Sequence, residues 1–195
     1  MYRALIFSVL ASPGWAVCPV ADDLQTGIRL TADDGAVETY VAQTPHIVEL
    51  TVTYDGGYSD KSLLGKGVYL LAVEEFYHGQ KVHGSGSTYA YQDPVDAMPD
   101  PAPHAIWRTR AIVDGADEDK ITASWDAPVE MTYGDCSYTV IPGEITYSGA
   151  NYRQTEGLHY LPELGLAYLA FSQYEHSGQM NEYQIIAITA VEPGE

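Results

Sequence analysis

Along this 195-residue chain the hydrophobic positions recur mostly in short bursts with a period of two, the pattern of strands that bury one face. In residues 46–54 (HIVELTVTY), Val48, Leu50, Val52 and Tyr54 share one face while Glu49, Thr51 and Thr53 take the other. Upstream, residues 28–31, the turn Asp33-Asp34-Gly35 and residues 37–41 predict a hairpin. Asp55-Gly56-Gly57 turns the chain after Tyr54, residues 68–77 form a more continuously apolar strand, and a turn at His78-Gly79-Gln80 leads to an edge strand at 87–91. Residues 105–113 set Trp107, Thr109, Ala111 and Val113 against Arg108 and Arg110, and Asp114-Gly115 turns them into a strand at 121–125. Further strands are expected at 131–133, at 136–141, at 144–147 after the Pro142-Gly143 interruption, at 164–174 and at 183–191.

Helical periodicity is confined to a turn or two at residues 20–25. Residues 92–104 hold four of the eleven prolines and are expected to form a surface loop. About ten strands with short connections predict an all-β fold, a single antiparallel meander closing into a half-barrel or barrel, with a β-sandwich as the alternative.

Residues 1–16 break this pattern. Arg3 precedes an apolar run ending near Ala11, then Ser12-Pro13-Gly14 and Trp15-Ala16, the layout of a secretory signal peptide cleaved after Ala16. The run is far shorter than the roughly 20 residues of a membrane-spanning helix. Residues 17–195 are then one antiparallel β domain, periplasmic or secreted, with no transmembrane segment. Export gives the two cysteines a meaning: an even count outside the cytoplasm predicts a Cys18–Cys136 disulfide. The rival fate of Cys18, lipidation, fits poorly, because Trp15 and Val17 stand where such motifs carry an aliphatic and a small residue.

With 9 basic against 27 acidic residues, the formal net charge is −18. That excess repels nucleic acid and anionic lipid surfaces, so neither is expected as a partner. At 46% hydrophobic and 11% aromatic, the chain still has material for a core.

The catalytic and metal motifs do not assemble. His78 and His83 flank a turn, but a structural zinc site needs two more ligands. The clusters Asp93-Asp96-Asp100 and Asp114-Asp117-Glu118-Asp119 lack the spacing of a calcium loop and read as solvated turns. His83-Gly84-Ser85-Gly86-Ser87 lacks the register of a nucleophile elbow, and Gly65-Lys66-Gly67 that of a phosphate-binding loop. Glu74 and Glu75 point to opposite faces of one strand, a poor acid/base pair. No catalytic residue, metal or cofactor is therefore expected.

What remains are binding features. Arg108 and Arg110 share a strand face and could clamp an anion, with cross-strand ion pairing as the competing role. The chain has 16 tyrosines, whose rings suit either a pocket or ordinary sheet faces. Trp107, Trp125, Tyr138 and Tyr168 are the expected lining of a cavity in the curved sheet for a small apolar or aromatic ligand. The alternative is an envelope interaction protein using the Pro-rich loop 92–104 and an edge strand.

Over the last 65 or so residues, the order of Tyr133-Gly134-Asp135-Cys136-Ser137-Tyr138, then Tyr160-Leu161-Pro162-Glu163-Leu164-Gly165-Leu166, then a final Ile-rich strand resembles bacterial periplasmic incomplete β-barrels of the LolA-like group. The resemblance implies an envelope β fold. The long helices and N-terminal half of the lipoprotein carriers have no counterpart in this sequence, so carrier activity is not implied.

Overall fold

The computed structural model of the protein describes residues 17–192 and Gly194; the leader expected over 1–16 lies outside the described residues. Fifteen strands follow a short 3-10 turn at Ala21–Gln25. They are β1 (Ile28–Ala32), β2 (Val37–Thr44), β3 (Ile47–Thr53), β4 (Tyr58–Gly65), β5 (Tyr69–Tyr77), β6 (Gln80–Lys81) and β7 (Ser87–Tyr91). After the proline-rich segment come β8 (Ile106–Val113), β9 (Asp117–Trp125), β10 (Val129–Tyr133), β11 (Cys136–Ser148), β12 (Arg153–Leu161), β13 (Leu166–Tyr174), β14 (Met180–Glu182) and β15 (Ile185–Ala190).

All pairings are antiparallel and form one sheet with the order β14-β13-β12-β11-β9-β8-β7-β5-β4-β3-β2-β1-β15, with β10 added on β11 and β6 on β5. The expected all-β antiparallel meander is therefore present, with more strands than the ten expected. The sheet curves until its two edge strands, β14 and β15, are joined by only Tyr183 and Gln184, yet they do not pair, so the barrel stays open.

Three details correct the sequence reading. Residues 87–91 are not an edge: β7 gives Ser87 and Thr88 to β5 and Tyr89, Ala90 and Tyr91 to β8, so it is the corner where the chain passes from one half of the sheet to the other. Pro142-Gly143 does not interrupt a strand, because β11 runs through it. Gly143 is needed there: a side chain would collide with the ring of Trp125, its cross-strand partner. Finally, loop 92–104 is only partly superficial, since Met98 is 3% exposed and Pro101 is buried.

Two apolar clusters hold the curve. One joins Ile28, Leu30 and Tyr40 to Ile185 and Ile188 and to Tyr133, Val140, Leu161 and Leu166. The Cys18–Cys136 disulfide seals this end, tying the start of the described chain to β11 across 118 residues of sequence. The other cluster joins Tyr69, Ile121, Trp125, Ile145 and Tyr160. Among the described residues no helix is long and apolar enough to cross a membrane.

Candidate functional site

Between the two halves of the sheet lies a cavity of about 510 Å³. Each wall is built by strand alternation. From β2, Glu38 and Tyr40 point inward; from β3, Leu50 and Val52, with Tyr54 just beyond; from β4, Asp60, Ser62 and Leu64. The opposite wall carries Tyr147 of β11, Gln154, Glu156 and Leu158 of β12, and Ala167 and Leu169 of β13. Tyr40, Leu64, Tyr147 and Ala167 are buried at depth, whereas Asp33, Asp34, Tyr54, Tyr174, Glu182 and Tyr183 are exposed and form the rim.

The two interior carboxylates are its most distinctive groups. Burial pushes Glu38 up to about 7, against the Tyr40 hydroxyl, which favours the charged form. Tyr40 Oη lies 2.6 Å from Glu38 Oε2 and 3.1 Å from the Ala167 carbonyl oxygen, and a hydroxyl has one proton to give. Tyr40 therefore donates to one of the two acceptors at a time, and the shorter contact is the one to the Glu38 carboxylate. Glu156 is pushed up to about 7 by burial as well, with the Tyr147 hydroxyl opposing; Gln154 Nε2 donates to its Oε1 at 2.9 Å. At the rim, the Tyr54 hydroxyl donates to Asp60 at 3.0 Å.

A third acid escaped the sequence reading. Asp119, taken above as part of a solvated turn, is 1% exposed. It sits on the inner face of β9 with Ile121 and Ala123, accepts a hydrogen bond from Tyr152, and its Oδ1 has no partner. The strand begins at Asp117 rather than Ile121; extending the alternation back by two residues from Ile121 places Asp119 inside.

The residues nominated from sequence occupy other places, and none lines this cavity. Trp107 packs edge-on to Tyr69, with ring centroids 4.7 Å apart, and stacks on Tyr91. Trp125 is core, edge-on to Tyr160. Tyr138 lies under the disulfide end and donates to the Pro19 carbonyl at 3.0 Å. Tyr168 bridges Tyr133 Oη at 2.8 Å and His159 Nδ1 at 2.7 Å. Arg108 and Arg110 are exposed on the outer face, and Arg110 pairs with Glu118 at 3.0 Å, the cross-strand ion pairing weighed for it. His78 and His83 are exposed, and no group of three or more metal-ligating side chains occurs among the described residues.

No family model matches the chain, nor does any curated protein or solved structure.

Proposed function

We propose that this is an exported, non-catalytic binding module of the bacterial envelope that holds a small ligand with an apolar or aromatic body in the cavity between the sheet halves. The observation that carries the reading is the cavity. Its 510 Å³ falls within the range of small-molecule sites, and its wall sets Leu50, Leu64, Leu158 and Leu169 among tyrosines and carboxyl groups. Export is supported by the basic-apolar-small order of residues 1–16 and by the disulfide, which persists in oxidising compartments. The competing role, protein interaction through loop 92–104 and an edge strand, has less behind it. That loop buries Met98 and Pro101 in the protein itself, and the strand beside it is internal.

Native mass spectrometry of the protein purified from the periplasm tests the reading, with Ala167→Trp, which fills the cavity floor, as the control. A mass excess in the parent that is lost on denaturation and absent from Ala167→Trp is expected. A bare parent, or an equal excess in the variant, overturns the assignment. An excess surviving denaturation without reduction would place lipid on Cys18 and contradict the disulfide.

A further inference from the structure

The cavity wall has a charge pattern that a purely apolar ligand does not need. Its lining contains six carboxyl groups, on Asp33, Asp34, Glu38, Asp60, Glu156 and Glu182, seven tyrosines, and no Lys, Arg or His among the described lining residues. Five cations among the described residues pair with acids away from the cavity lining: Lys61 with Glu49, Lys66 with Asp100, Lys81 with Glu74, Arg110 with Glu118 and Arg153 with Glu175. Among the described residues, Glu38 and Glu156 face the void from opposite walls, desolvated, with a hydroxyl and an amide as their hydrogen-bond partners. A charge in such a position is costly unless an opposite charge accompanies it.

We infer that the cavity takes an organic cation, a substituted ammonium group on an apolar or aromatic body, held between the carboxylates of Glu38 and Glu156 and the tyrosine rings. This rests on the binding reading above and assigns its ligand class. Tyrosine faces attract cations through the ring quadrupole, and most strongly where water is excluded. The leucine floor disfavours a hydrated inorganic ion, which would have to shed its water against Leu64, Leu158 and Leu169, and no three metal-ligating side chains converge among the described residues. An anionic ligand would meet six acids and no donor cation. The cation also replaces the missing counter-charge, so its binding relieves a cost that the empty fold carries.

A pair of probes alike in shape and different in charge separates this inference from the reading beneath it: benzyltrimethylammonium and its neutral isostere neopentylbenzene, titrated by ligand-observed NMR at pH 8. The quaternary nitrogen keeps its charge at every pH. The ammonium probe is expected to bind at least about tenfold more tightly than the isostere, and Glu38→Gln/Glu156→Gln to shrink that preference toward the part the tyrosine rings supply. The comparison on the parent needs no variant, so a misfolded double mutant does not spoil the test. Equal affinities in the parent overturn the cation assignment and leave the binding module standing. Tighter binding of the neutral probe does the same. No binding of either overturns both.

Discussion

The sealed end of the protein and its cavity use the same residue type to opposite ends. Under the disulfide, tyrosine hydroxyls are closed into chains: Tyr133 to Tyr168 to His159, and Tyr138 to the Pro19 carbonyl. Around the cavity, seven tyrosines and six acids face a void or its mouth, and burial pushes Glu38 and Glu156 up to about 7. Both regions bury polar groups, but the first closes its hydroxyls against one another and the backbone, whereas the second turns its carboxyl groups and tyrosines toward a void. A satisfied network adds to stability, whereas polar groups aimed at an opening cost stability and are retained where a ligand completes them.

The largest effect expected from breaking this contrast lies at the sealed end. Cys18→Ser/Cys136→Ser releases a loop of 118 residues and should lower unfolding free energy by up to about 4–5 kcal/mol, read from denaturant midpoints with and without reductant; equal midpoints would show that the bond contributes nothing. Next, Tyr168→Phe takes the hydroxyl partner from buried Tyr133 Oη and half-buried His159 Nδ1, a loss of about 2–3 kcal/mol. Tyr174→Phe, at the exposed cavity rim, should change stability by less than about 0.5 kcal/mol. A similar cost at both sites would erase the distinction between the two regions.

The regions should also respond to pH with opposite signs. Glu38 and Glu156 keep protons in the folded protein up to about pH 7, against 4.5 ordinarily. Folding takes up protons between those values, so their contribution is full below about pH 4.5 and is lost as pH rises through about 7. His159 is held below 6.5 by burial. Its contribution is full above 6.5 and is lost as pH falls through its lowered value. Glu38→Gln/Glu156→Gln should raise stability at pH 7.5 by roughly 1–2 kcal/mol, leaving a profile that only declines toward acid. Thermal melts from pH 5 to 8 check this, and a double variant with the parent's slope would refute it. The smallest effect is expected outside both regions: Arg110→Ala removes an exposed ion pair with Glu118 and should cost less than about 0.5 kcal/mol with no change in probe binding.

The strands that sequence reading found and those it passed over differ in what they face. Residues 46–54 and 105–113 pack apolar or small side chains inward, and their alternation is plain. The two longest unassigned stretches became β4 and β12. Their inner faces carry Asp60 and Ser62, and Gln154 and Glu156, because they line the cavity. The site therefore disguised itself by replacing the apolar half of the pattern on which strand recognition depends. Asp119 was lost for the same reason. The nominated aromatics failed differently: Trp107, Trp125, Tyr138 and Tyr168 do point inward or into covered interfaces, but composition carries no information on whether a buried ring meets other rings or a void.

The sequence by itself determined the class of fold, the hairpin turns, the Cys18–Cys136 pairing and the acidic character, because each depends on local alternation, local turn chemistry or counting. Only the tertiary structure decided that the sheet folds at β7 instead of closing, that β14 and β15 meet without pairing, and that Glu38 and Glu156, 118 positions apart in the chain, face one cavity. Curvature accumulates from twist and bulges over many strands, and a cavity forms where side chains from distant strands fail to meet, a property of the assembled walls and of no single segment.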